Sequence, residues 1–164
     1  MDSLKSIQLK PIGFVRTEAG LEDLRHRVAI SEIVVNKRLC RGLDGIGGFS
    51  HIFVLYWMHK TSKPERKVLT VHPRHRPYIP KQGIFATRSK FHPNSIGLTI
   101  VKLLSKVDNT LIVKGLDAYD GTPVLDLKPY DYWDRPKKIQ VPDWWKKLEK
   151  ERCGDQRFIG FQCI

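Results

Sequence analysis

Residues 83–98, GIFATRSKFHPNSIGL, concentrate side chains able to hold a ligand. Arg88 offers a planar fork that matches a carboxylate or phosphate. Ser89 and Asn94 can donate and accept for a heterocycle or ribose. Lys90 and His92 add positive or titratable nitrogen. Pro93 fixes one φ and pushes His92 towards extended geometry. Gly97 lets the backbone approach something closely. The alternative is an ordinary polar turn between strands. Two further clusters have comparable chemistry: His59-Lys60, and the stretch from Asp120 to Tyr130. Asp120 and Asp126 supply negative charge that would favour a cationic centre. A ligand with a carboxylate, a heterocycle and a positive centre fits these groups, and S-adenosylmethionine is one such ligand.

Several chemistries are disfavoured. No cysteine or histidine pair sits at metal-ligand spacing, so no metal site is expected. GxSxG and GxxxxGK[ST] do not occur, which argues against a serine elbow and a phosphate-cradling P-loop. The GIGG at 45–48 lacks the strand–loop–helix unit of a dinucleotide fold. The formal charge is +12 over 164 residues. Between residues 60 and 92 there are nine basic side chains, and Glu65 is the only acid. Such a basic middle suggests a polyanion, with nucleic acid the leading candidate. Arg74-His75-Arg76, between Pro73 and Pro77, reads either as an arm for phosphates or as a solvated loop. Cys40, Cys153 and Cys163 form an odd set with no signal peptide ahead of them, which predicts a reducing compartment and a cytoplasmic protein. Cys153 and Cys163 are close enough in sequence to pair, although nothing requires it. No apolar run reaches the ~20 residues of a membrane helix.

The elements that must carry these groups read mostly as strands. Strands are expected at 9–16, at 28–35 with its β-branched run, at 67–72 and at 84–86. FSHIFVLYWM, 49–58, is nearly continuous apolar and predicts a buried central strand. His51 within it reads as a hydrogen-bonded core histidine. Residues 17–27 form a polar segment with at most a turn of helix, and 36–48 a glycine-rich loop. Residues 96–104 and 110–116 flank Asp108-Asn109 and predict a β-hairpin. Asp120-Gly121 marks a turn, and Val124 to Lys128 alternates like a strand. Asp143 is placed to cap a short helix with Trp144 or Trp145 and Leu148 on one face. Seven or eight short strands and little helix predict a mainly β antiparallel sandwich or barrel.

The stretch ATRSKFHPNSIGL resembles the signature ATRSxxRPNxIG of the TsaA-like family, which includes the TrmO tRNA methyltransferases. Four other segments resemble that family in its own order: PIGFVRT at 11–17, GFSHIFVLYWMH at 48–59, VHPR at 71–74 and LDAYDGTPVLDLKPY at 116–130. The resemblance implies a β-barrel over 1–130 that binds S-adenosylmethionine, with 131–164 as a C-terminal extension. It implies a homodimer that methylates N6 of threonylcarbamoyladenosine beside the anticodon, so the partner would be a tRNA anticodon loop. Carried over by motif position, cofactor contacts would be Arg25, His59, Lys60, Arg88, Ser89, Leu98, Asp120, Gly121, Thr122 and Pro123. RNA contacts would include Arg74, Arg76, Lys90, His92, Asn94, Lys128 and Tyr130. Asp126 or Asp120 would accept the proton from the methylated nitrogen. Each has a simpler role too: Asp120 in its turn, Asp126 paired with Lys128 or an arginine. Two positions depart from the pattern. Leu24-Arg25-His26 stands where the family often has Pro-Arg-Gln, and His92 stands where it has arginine.

Overall fold

The structure is a computed structural model that describes residues 6–153. Six strands close into an antiparallel barrel: β1 (Gly13–Arg16), β2 (Ile30–Val35), β3 (His51–Trp57), β6 (Ile96–Val107), β7 (Thr110–Lys114) and β8 (Pro123–Pro129). They are ordered β1-β2-β7-β6-β3-β8 around the wall. β4 (Thr70–Val71) and β5 (Gln82–Gly83) form a separate two-stranded ribbon. Helix α1 (Leu21–His26) joins β1 to β2, and α2 (Asp143–Cys153) follows the barrel. Closure leaves the barrel strands no free sheet edge.

Alternation decides which side chains fill the barrel. Val15, Ile33, Ile52, Val54, Val101 and Val113 point inward and are buried. β3 is apolar on both faces, although only one faces this core. Its outer residues Phe53, Leu55 and Trp57 lie opposite Ile100, Leu98 and Ile96 of β6. Trp57, Ile96, Leu98 and Ile100 are exposed. The expected buried central strand is therefore buried on one side, and His51 lies half-buried on the outer face, hydrogen-bonded through Nδ1 to Ser50 at 2.9 Å.

Gly97 shows why glycine is required there. Any Cβ on it would overlap the ring of Tyr56, its cross-strand partner in β3. The β6–β7 hairpin turns at Asp108-Asn109 as expected, with Asp108 at φ 49°.

Three expectations change. Residues 84–86 are not a strand but a 3-10 turn, closed by Thr87 N–H and Thr87 Oγ1 donating to the Ile84 carbonyl at 3.1 and 2.9 Å. Only Ile84 of the three is buried, so no apolar face exists to seat a strand. The strand expected at 67–72 shrinks to Thr70–Val71, because Glu65–Lys67 coil into a 3-10 turn. The loop at 36–48 contains two 3-10 turns, Lys37–Leu43 and Ile46–Gly48; Asn36 Oδ1 caps the first by accepting from Arg38 N–H at 3.0 Å. Cys40 is a free thiol. The Cys153–Cys163 pairing lies outside the described residues.

Candidate functional site

One end of the barrel gathers the motifs. β3 ends at Trp57, and the next amide, Met58 N–H, donates to the Ser95 carbonyl at 2.7 Å. That bond ties the 87–95 loop to the strand end. Ser95 is buried at φ 51°, and its N–H donates to the His92 carbonyl at 2.9 Å. The His92 ring donates through Nε2 to the Thr87 carbonyl at 3.0 Å and lies edge-on to Phe85. His92 thus staples the loop from inside, a task that needs only a neutral imidazole. Arg88, exposed, donates to the Leu98 carbonyl on β6, and its other N–H groups have no partner among the described residues. Ser89 Oγ accepts from Phe91 N–H at 3.3 Å.

The 119–123 turn forms the other wall. Gly121 sits at φ 72°, and its N–H donates to the Val15 carbonyl at 2.8 Å. Val15 N–H returns the bond to the Thr122 carbonyl at 2.9 Å. Asp120 Oδ1 accepts from Thr17 N–H at 3.0 Å, and Oδ2 has no hydrogen-bond partner among the described residues. Thr122 Oγ1 lies 3.4 Å from His59 Nδ1, and the Lys60 ammonium sits 4.3 Å from the centre of the Tyr119 ring. Pro123 opens β8 at a first-strand position, where its missing N–H is tolerated. His59, Lys60, Asp120, Gly121, Thr122 and Pro123 are therefore brought together, and Arg88 with Leu98 is anchored to the same ends of β3 and β6.

Most of the other expected residues are engaged by neighbours of their own. Arg25 is on α1, exposed and paired with Glu22 at 3.3 Å. Asp126 is ion-paired with Lys128 at 2.8 Å and accepts from Leu127 N–H at 2.9 Å. It borders a cavity of about 590 Å³ shared with Arg38, Asp44, Phe49 and Pro129, whose lining includes no residue of the 119–123 turn. Tyr130 packs edge-on against Phe53 and His51. Arg74 and Arg76 are held by α2: Arg74 Nη1 donates to the Leu148 carbonyl at 3.0 Å, and Arg76 meets Glu151 at 3.2 Å. Lys90 pairs with Glu65 at 2.6 Å. The Lys90 hydrogen bond and two from Ser62 lower the Glu65 carboxyl to about 2. Asn94 is exposed.

Sequence reasoning missed Asp117. Its carboxylate accepts from Arg27 Nη2 at 2.7 Å and Nε at 3.1 Å, from the Tyr56 hydroxyl at 3.0 Å, and from Thr99 Oγ1. Burial pushes the Asp117 carboxyl up, but the Arg27 charge and these hydrogen bonds outweigh it and hold the group below its ordinary range. Burial first, then the Asp117 charge, pushes the Tyr56 phenol well above its own. The network joins the C-cap of α1, β3, β6 and the segment after β7. The available signal was Tyr56 itself, a phenol in an apolar run that requires a buried partner.

The fold and these clusters define a small closed β-barrel with a mixed-charge site at one end of its wall. The chain belongs to the tRNA-methyltransferase O N-terminal domain family, whose model matches residues 20–134. It is 42% identical over 130 residues to a probable S-adenosyl-L-methionine-binding protein of Methanothermobacter thermautotrophicus, covering 76% of this chain and 90% of that one. It is 40% identical over 111 residues to a tRNA (adenine(37)-N6)-methyltransferase of Mus musculus, covering 66% of this chain but 25% of the mouse protein. A crystal structure of TrmO from Pseudomonas aeruginosa superposes with a TM-score of 0.66 at 26% identity, covering 84% of this chain and 62% of the other. The chain thus spans less than two thirds of that solved relative.

Proposed function

We propose that this chain is an S-adenosylmethionine-dependent tRNA methyltransferase. In this reading it acts on N6 of threonylcarbamoyladenosine beside the anticodon, in the cytoplasm. The observation that carries the reading is the convergence of His59 and Lys60 with the 119–123 turn, beside Arg88 on Leu98, within the matched family domain. The donor set fits the cofactor. Arg88 retains donors for a carboxylate. The backbone at Gly121 is open, and a Cβ there would meet nothing within 4 Å. Asp120 places negative charge where a sulfonium would be favoured.

When bound, S-adenosylmethionine supplies an activated methyl group. The chain's own part is to position two reactants and receive a proton. Asp120 Oδ2 is better placed to receive it than Asp126, whose carboxylate is occupied by Lys128. His59, Thr122 and Lys60 hold the 119–123 turn against the end of β3. The outward stripe of Phe53, Leu55, Trp57, Ile96, Leu98 and Ile100 is the surface for a second copy, since exposed apolar patches of this kind mark association sites. Because Leu98 belongs to both stripe and site, the homodimer interface would border the cofactor.

The second reading, cofactor or RNA binding without turnover, is favoured by the relatives named only as binding proteins. Incubation with methyl-labelled cofactor and bulk tRNA separates the two. Label in tRNA supports the enzyme; cofactor binding without label supports the binding module.

A further inference from the structure

Tyr132 and Trp133 are 97% and 96% exposed. Rings of this size are rarely left so bare. Their exposure is built in. They lie on a one-turn 3-10 helix, Tyr132–Asp134, that opens on a capping box. Asp131 Oδ1 accepts from Trp133 N–H at 2.7 Å, and Asp134 Oδ2 accepts from Asp131 N–H at 3.1 Å. Both aspartates thereby spend their carboxylates on the backbone, and the turn holds the two rings out. Every residue from 131 to 140 is exposed, so the segment adds nothing to a core.

Charge identifies what such rings would meet. Arg135, Lys137 and Lys138 follow at once, and among the described residues none of the three has an acidic partner. The arm that the sequence left open for phosphate is different: α2 occupies Arg74 and Arg76. Three cations with no acidic partner among the described residues therefore follow the bare aromatics directly. Exposed rings interleaved with free cations are how proteins hold unpaired bases and their phosphates.

We infer that Tyr132 and Trp133, with Arg135, Lys137 and Lys138, form a stacking platform for unpaired nucleotides of the RNA substrate. The inference rests on the RNA-methyltransferase reading. β8 separates this platform from the 119–123 turn by seven residues, roughly 23 Å at strand rise. An RNA that reached both would be held at two separated points, with stacking fixing its register. A bilayer surface also attracts aromatics and cations, but this segment is a single capped turn, not an amphipathic helix.

The test compares the whole chain with Tyr132→Ala/Trp133→Ala, Tyr132→Phe/Trp133→Phe and Arg135→Gln/Lys137→Gln/Lys138→Gln. Affinity for fluorescein-labelled tRNA is read by anisotropy across salt concentrations, and cofactor affinity by calorimetry. The alanine pair should weaken tRNA binding about tenfold or more, with the salt slope unchanged. The phenylalanine pair should stay within about twofold, because it keeps both faces for stacking. The triple glutamine variant should flatten the salt slope by about two. Cofactor affinity should not move in any of them. Wild-type tRNA affinity in the alanine pair overturns the inference. So does an unchanged tRNA affinity accompanied by lost binding to phosphatidylserine vesicles or by a dimer falling to monomer. A wild-type chain that neither binds nor methylates tRNA overturns this inference together with the functional reading; methylation that is normal in wild type and alanine pair alike overturns this inference alone.

Discussion

Asp117→Asn removes one charge from the network that joins Arg27, Tyr56 and Thr99 and leaves the shape almost intact. Asparagine keeps an acceptor for Tyr56 and Thr99, but it no longer answers the Arg27 guanidinium. The two side chains of the ion pair are 25% and 29% exposed. Stranding one partner of a fully buried pair costs about 3–5 kcal/mol. Partial exposure lets water reach Arg27, so a cost of about 2 kcal/mol is expected here. For a chain of this size that lowers Tm by roughly 4–8 °C. Scanning calorimetry at neutral pH measures it. The pH dependence has a definite sign. The Asp117 carboxyl titrates lower in the folded chain than in the unfolded one. Its stabilisation is therefore complete above the ordinary carboxylate range and is lost as pH falls through the folded value. The gap between wild type and Asp117→Asn should narrow on acidification. Adding Arg27→Met to Asp117→Asn should recover part of the loss, because no charge is then stranded. A Tm within 1 °C of wild type at neutral pH, on the order of the measurement error, would refute the network as a structural strut.

Gly97→Ala should destabilise the barrel by about 1–3 kcal/mol, because its methyl must displace the Tyr56 ring; an unchanged melting curve would show that the ring can move aside freely. Arg88→Ala should weaken S-adenosylmethionine binding about tenfold or more through loss of a charged donor, without shifting Tm; equal titration curves in calorimetry would remove Arg88 from the site. Lys90→Ala should raise the Glu65 carboxyl from about 2 towards the usual carboxylate range, since the Lys90 hydrogen bond is the largest cause of its depression. Carboxyl-carbon NMR reads that titration, and an unmoved midpoint would mean that Ser62 alone holds Glu65 low.

What the sequence disclosed, and what it hid, follows from contact distance along the chain. The β6–β7 hairpin is local, and Asp108-Asn109 announced it. β2 was legible from its β-branched residues and β3 from its run of aliphatic and aromatic ones. Closure into a barrel rather than a sandwich was legible only through the family resemblance, because β1 and β8 pair across more than 100 residues, Gly13 with Val124. Short apolar triplets such as Ile84-Phe85-Ala86 look alike as strand and as turn until a partner strand is found or missing. In the site, the motif residues on single loops were identified by type. Their grouping came only from the family resemblance, since His59 meets Thr122 across 63 positions. Asp117 escaped because its partners lie 90, 61 and 18 residues away, and Tyr56 was read as one more aromatic in a core strand. Asp126 was offered both as a proton acceptor and as a partner of Lys128, and the structure pairs it with Lys128 beside it in the strand.

The central claim is methyl transfer to a particular nitrogen. The decisive measurement incubates the whole chain with labelled S-adenosylmethionine and purified tRNA, with and without the threonylcarbamoyl group, and locates the label by nucleoside mass spectrometry. The account predicts label on N6 of threonylcarbamoyladenosine and none in tRNA lacking that group. Equal label in both tRNAs, or none in either while the cofactor is bound, would contradict it.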